Sequence, residues 1–155
     1  MVEVVTTYLE ITDPAKIRPA RGSAEIVKVD PPAGAVNRRF YETVGADYSW
    51  TLHRGRGDAW WQAHAEEVET WVIPDAGYYE LHPVGNDVEI AYFGLLPAFH
   101  GRGLGGALLE HALRRGFELG SRVWVHTCTL DGPYALANYE ARGLRPFRTE
   151  VLPTA

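Results

Sequence analysis

Residues 89–109 read Glu89-Ile-Ala-Tyr-Phe-Gly-Leu-Leu-Pro-Ala-Phe-His-Gly-Arg-Gly-Leu-Gly-Gly-Ala-Leu-Leu109. Asp87–Leu96 predicts a strand, and its run Ile90–Leu96 is apolar on both faces, as a central, doubly covered strand requires. Gly94 inside the run suggests a bulge or a close backbone approach. Pro97 ends it. The turn His100-Gly-Arg-Gly-Leu-Gly-Gly106 then opens a helix that runs to about Leu119. Leu104, Leu108, Leu109, Ala112, Leu113 and Phe117 form its buried stripe. Glu110, His111, Arg114, Arg115 and Glu118 form its wet face, with Glu110 and Arg114 placed as an i,i+4 pair.

Downstream, Arg122–Leu130 predicts a strand. Pro133 suits a first helical turn, and a short helix runs from there to Arg142 with Gly143 as its stop. Arg145–Leu152 predicts the last strand. Upstream, Glu69–Ile73 and Tyr78–His82 read as two strands joined by Pro74-Asp-Ala-Gly77, and Gly85-Asn-Asp87 is a turn. Asp58 is placed to cap a helix through about Val68, with Trp61, Ala65 and Val68 on one face and Trp60 alongside. Val36, Phe40, Tyr41 and Val44 mark an earlier helix that stops at Gly45. Pro31-Pro-Ala-Gly34 is a loop, and residues 2–11 are β-rich. The order is β-α-α-β-β-β-α-β-α-β, an α/β domain with a mixed sheet. No internal repeat or low-complexity segment interrupts it.

The chain has 155 residues, which suits one domain over residues 1–155. Hydrophobic residues are 46% and charged residues 23%, the balance of an ordinary globular domain rather than a disordered or fibrous one. No apolar run reaches the roughly 18 residues of a membrane span. The start lacks a signal-peptide pattern, and one cysteine, Cys128, excludes an internal disulfide. Together these predict a cytoplasmic protein without a membrane partner. Lys plus Arg is 15 against 20 for Asp plus Glu, a net charge of −5, and the basic residues are scattered in pairs. No nucleic-acid footprint is expected from that pattern.

A strand, a glycine turn and a helix make an anion cradle, because unpaired N–H groups and the helix dipole point at the turn. Arg102 adds a formal charge. Gly101-x-Gly103-x-x-Gly106 matches a dinucleotide fingerprint, but the acid expected about 20 residues later is missing. Position 126 is His, between Val125 and Thr127. A lysine P-loop fails because no Gly-Lys-Ser/Thr follows. A plain tight turn needs fewer than the four glycines at 101, 103, 105 and 106.

The segment 89–109 resembles the acetyl-CoA-binding segment of the GNAT superfamily of N-acetyltransferases, a strand followed by Gln/Arg-x-x-Gly-x-Gly/Ala and a helix. Gly103 and Gly105 match its glycines, and His100 replaces its Gln/Arg. Residues 130–144 resemble the family's second hallmark, with Ala135, Tyr139 and Gly143 on an Ala-x-x-x-Tyr-x-x-x-Gly frame and Gly132 in place of a common asparagine. The likeness is strong over about residues 87–147 and loose before that.

The resemblance implies acetyl-CoA as cosubstrate, without a metal, and an amine acceptor. Its pyrophosphate would rest on Gly101, Arg102, Gly103, Leu104, Gly105 and Gly106. Its pantetheine would lie along Leu95 and Leu96, in a gap where the central strand and the next one splay apart at a bulge. A backbone N–H near Leu95 would bind the oxyanion. Tyr139 is the implied acid, protonated at neutral pH because an ordinary phenol titrates near 10. Glu89 is the candidate base, as the only charge between Val88 and Pro97, with Glu80 or a water relay as alternatives. His126 and Cys128 share a strand face, but their spacing is too wide for a dependable side-chain bond. The histidines at 53, 64, 82, 100 and 111 lack metal-ligand spacing. Tyr41, Tyr48, Trp50, Trp60 and Trp61 would supply an aromatic acceptor pocket or core. A non-catalytic acyl-CoA-binding module on the same fold is the rival reading, and a homodimer is a possible assembly.

Overall fold

A computed structural model describes residues 3–48, 50–131 and 134–153. Val2, Gly132 and Pro133, which carry parts of the expectations above, lie outside the described residues. The elements in chain order are β1 (Glu3–Ile11), β2 (Val27–Lys28), α1 (Gly34–Val44), α2 (Asp58–Glu67), β3 (Glu69–Ile73), β4 (Gly77–Val84), β5 (Asp87–Leu95), α3 (Leu104–Leu119), β6 (Arg122–Cys128), α4 (Ala135–Ala141) and β7 (Arg145–Pro153). This is the expected order with one addition. The strand β2 is two exposed residues on the sheet edge, too short for any period to announce it.

Seven strands form one sheet in the order β2-β3-β4-β5-β6-β1-β7. Every neighbouring pair is antiparallel except β5 and β6. Those two are parallel because α3 carries the chain back across the sheet between them. They pair only over Asp87–Glu89 against Arg122–Trp124, and beyond Glu89 they part. The mixed α/β fold with a splayed central pair is therefore as expected.

The apolar stripe of α3 packs on one face of the sheet. Leu108, Leu109, Ala112 and Leu113 meet Leu9, Leu81, Val88, Ile90, Val123 and Val125 in the main core. Each such side chain contributes about 1.5–3 kcal/mol when fully buried. On the other face α1 covers β4 and β5 with Phe40 and Val44, and Phe40 stacks on Tyr78 at 5.1 Å.

Three local expectations are corrected. The bulge is not at Gly94. The β4–β5 register shifts between Glu80 and Leu81, which pair with Tyr92 and Ile90, so Ala91 is the extra residue. Gly94 instead marks a close approach, since a Cβ there would lie 2.5 Å from Val44 Cγ1. Asp58 does not cap α2. It is the first helical residue, Gly57 holds the cap position without a side-chain bond, and Arg38 Nη1 donates to Asp58 Oδ1 at 3.1 Å. His111 is not simply on the wet face of α3, because its Nδ1 shares a 2.6 Å hydrogen bond with the Tyr79 hydroxyl.

Candidate active site

The Ala91 bulge decides which side chains face which side. An extra residue inverts the alternation of a strand. Val88 and Ile90 therefore point into the α3-side core, Tyr92 points to the α1 side, and Phe93 returns to the α3 side. Glu89, between Val88 and Ile90, lies on the α1-side face. It is the last β5 residue paired with β6, so it stands where the gap begins. Its carboxylate is partly exposed and lies 3.9 Å from His126 Nε2.

Beyond the bulge, Leu95 and Leu96 differ. Leu96 donates its N–H to the Ala76 carbonyl at 2.7 Å, and its carbonyl accepts from Phe99 at 2.9 Å. Both of its backbone groups are committed. Alternation turns the Leu95 groups to the opposite edge, toward the gap. The Leu95 carbonyl accepts from His100 Nε2 at 3.1 Å. Of the two leucines, Leu95 is the one with a backbone N–H directed into the gap.

The gap ends at the glycine turn. Gly101 and Gly103 have φ of 77° and 76°, a left-handed conformation that only glycine adopts at little strain. Gly103 is the N-cap of α3 and makes no side-chain cap bond. The first helical bond runs from Ala107 N–H to Gly103 O. The N–H groups of Leu104, Gly105 and Gly106 therefore lie ahead of any intrahelical acceptor and point out of the first turn. Arg102 is exposed, with its guanidinium 5.4 Å from the Phe99 ring.

Arg142, read from the sequence only as a helix end, adds a second cation at this turn. Its Nη1 lies 3.5 Å from where a Cβ on Gly106 would be, and its Nε is buried with no partner among the described residues. No motif announces it, because only the docking of α4 against α3 brings it there.

Tyr139 lies on α4, nearly buried, with its ring 5.9 Å from Phe93. Burial, reinforced by the Asp131 carboxylate and by Tyr48, pushes its phenol above the ordinary range. It stays protonated through neutral pH. Tyr139 thus belongs to the α3 side of the gap and Glu89 to the α1 side.

Glu80 is placed differently from Glu89. It is fully buried, Oε1 accepts from His64 Nε2 at 2.6 Å, and Oε2 accepts from Asn37 Nδ2 at 2.8 Å. Each oxygen already accepts a hydrogen bond and the side chain is fully buried, whereas the Glu89 carboxylate is partly exposed. Burial also raises the Cys128 thiol, and the nearby Asp131 carboxylate adds to this against backbone N–H donors, so the thiol stays protonated.

The aromatic residues of the first half gather over the α1-side face. Tyr41 contacts Trp50, Trp61, His53 and Tyr92, with ring centroids between 5.4 and 5.7 Å. Tyr41 and Trp61 are core, while Tyr48, Trp50 and Trp60 are partly exposed. Among the described residues, no group of three or more His, Cys, Asp or Glu side chains gathers as a metal site would require. Among them, too, no helix is long and apolar enough to cross a membrane.

A model of the acetyltransferase (GNAT) family matches residues 37–144. The chain belongs to that family. No curated protein sequence matches it. Among solved structures, a putative acetyltransferase of the GNAT family from Novosphingobium aromaticivorans is 16% identical. It aligns at a TM-score of 0.65 over 97% of this chain and 63% of its own. A GCN5-related N-acetyltransferase from Sphaerobacter thermophilus is 17% identical, with a TM-score of 0.68 over 96% and 50%. An IAA acetyltransferase from Bacillus cereus is 21% identical, with a TM-score of 0.60 over 81% and 79%. These likenesses share the fold. The chain spans 63% and 50% of the first two proteins' lengths.

Proposed function

We propose that the chain, as one acetyltransferase domain over residues 1–155, transfers an acetyl group from acetyl-CoA to a primary amine by direct attack in a ternary complex. The observation that carries this reading is the gap between β5 and β6. It ends at an anion cradle and has Tyr139 on one side and Glu89 on the other. The cradle residues fit a pyrophosphate, because three first-turn N–H groups have no intrahelical acceptor, Arg102 lies in the same turn, and the Arg142 guanidinium lies beside Gly106. Gly101 and Gly103 add no side chain of their own to it.

In this reading Glu89 attracts the ammonium and accepts a proton from it. The freed lone pair attacks the thioester carbon, and a C–N bond forms while the carbonyl electrons move to oxygen. The Leu95 N–H stabilises that oxyanion. When the oxyanion collapses, the C–S bond breaks and its electron pair goes to sulfur. Tyr139 donates a hydrogen bond to the departing thiolate and supplies its proton, which solvent restores. The products are the amide and CoA thiol, and Glu89 releases its proton to solvent. A buried phenol holds its proton more tightly than a free one, so hydrogen bonding to the thiolate precedes the transfer.

The test is release of CoA thiol from acetyl-CoA over a panel of amines, with wild type against Tyr139→Phe. Amine-dependent release that the substitution suppresses supports the reading. Tight acetyl-CoA binding without release for any amine would favour a non-catalytic acyl-CoA-binding module.

A further inference from the structure

Trp50, which follows α1 in the chain, reaches from β5 to the turn after β6. Its indole is held from four sides. The Trp50 backbone N–H donates to the Gly45 carbonyl at 3.1 Å, and a Cβ on Gly45 would lie 2.6 Å from indole Cε3, so the ring rests on bare backbone. The ring centroid lies 5.1 Å from Tyr92 of β5 and 5.7 Å from Tyr41 of α1. Indole Cη2 comes within 3.9 Å of the Cβ position of Gly94, also on β5. At its other end, Nε1 donates to Asp131 Oδ1 at 3.4 Å, in the turn that follows β6.

Asp131 is itself fixed, because its second oxygen accepts from Thr127 Oγ1 at 2.8 Å and from the Cys128 N–H at 2.9 Å. The indole thus reaches from one lip of the gap to the other, on the face opposite Tyr139 and α4. Tyr48 runs beside it, with its hydroxyl 3.4 Å from His100 Nε2 on the β5 lip.

A group threaded through the gap from the cradle toward the α1-side face meets this ring. We propose that Trp50 is the wall that limits acyl-chain length, confining the thioester to acetyl and near neighbours. The inference rests on the reading that CoA occupies the gap. A rigid ring packed on backbone, its main chain bonded to Gly45 and its indole N–H to Asp131, resists displacement, so each methylene beyond the wall adds overlap instead of burial. Removing the indole turns the same space into an apolar slot lined by Tyr41, Tyr92 and Val44.

The experiment measures Kd for acetyl-, propionyl-, butyryl- and hexanoyl-CoA by calorimetry, with transfer rates for one competent amine, in wild type, Trp50→Ala and Trp50→Leu. Wild type is expected to lose affinity beyond propionyl. The Trp50→Ala protein is expected to gain about threefold to fourfold per added methylene, the burial of one methylene converted to affinity. Trp50→Leu should fall between them, and it serves where the alanine variant folds poorly. Parallel chain-length profiles in folded wild type and variants overturn the assignment, as does a wild type that binds hexanoyl-CoA as tightly as acetyl-CoA. A changed amine preference with an unchanged acyl profile places the wall on the acceptor side and also overturns it. Failure of all three proteins to bind any acyl-CoA instead removes the transferase reading on which the inference stands.

Discussion

His64 Nε2 lies 2.6 Å from Glu80 Oε1, and this contact joins α2 to the centre of the sheet. Asn37 of α1 bonds both the other Glu80 oxygen and Thr70 of β3, each at 2.8 Å. One buried carboxylate thereby fastens α1, α2, β3 and β4. Burial lowers the imidazole's affinity for a proton, but the hydrogen bond and charge of Glu80 outweigh it, so His64 titrates above its ordinary 6.5. His53, whose ring centroid is 6.2 Å away, is shifted the other way by burial and by the charges of His64 and Arg56.

The first prediction is a pH-dependent contribution of His64 to stability. A folded pKa above the unfolded one makes the contribution complete below about 6.5. It is lost as pH rises through the folded value. His53 works oppositely and is removed from the comparison by substitution. Thermal melts of His53→Gln and His53→Gln/His64→Gln should differ more at acid pH than above neutrality. A gap between them that is constant from pH 5.5 to 9 would contradict the ion-pair account. Glu80→Ala strands buried partners on two helices, and denaturant unfolding should show a loss of about 3–5 kcal/mol.

Acetyl-CoA is expected to raise the melting temperature. At about 100 times Kd, linkage adds roughly 2.7 kcal/mol. In a domain of this size that is about 5–10 °C. NAD at equal concentration should shift it little, because β6, about 20 residues past the glycine turn, carries no Asp or Glu as a dinucleotide site requires. A shift with NAD and none with CoA would sink the cradle assignment.

Gly103→Asp puts a carboxylate, and a side chain in left-handed backbone, at the cap of α3. CoA binding should be abolished by steric block and charge repulsion, with the far-UV spectrum kept. Arg102→Ala should weaken binding by about 1 kcal/mol or more, the scale of one charge-assisted hydrogen bond. Wild-type affinity in a folded Gly103→Asp protein would place the phosphates elsewhere.

Tyr139→Phe and Glu89→Gln should separate by pH. Loss of the phenol hydroxyl should lower kcat roughly 10²–10⁴-fold, the span of a positioned acid, with CoA affinity unchanged. Glu89→Gln should lose less as pH rises, because the amine then deprotonates unaided. Raising pH supplies no acid, so Tyr139→Phe should show no such rescue. Rates equal to wild type for Tyr139→Phe would exclude the acid role, and a pH-independent Glu89→Gln defect would exclude the base role.

Much of the fold was legible in the residues. The stripe Leu108, Leu109, Ala112 and Leu113, the glycines at 101 and 103 and the stop at Gly143 are local signals, and each lies where it was expected. Where expectation failed, a distant contact had decided. His111 looked like a wet-face residue until Tyr79 reached it across the core. The bulge belongs to Ala91 because β4 sets the register, not because β5 carries a glycine.

By itself the sequence determined the order of the longer elements, the glycine turn before α3 and the family, because helical period, strand period and glycine conformation act within a few residues of each other. Tertiary structure alone decided the working geometry. It set Glu89 and Tyr139 on opposite sides of the gap, locked Glu80 between His64 and Asn37, brought Arg142 to the first turn of α3, and laid Trp50 across to Asp131. Trp50 and Asp131 stand 81 positions apart. Such contacts follow from how strands pair and how helices dock on them, and no local pattern records that.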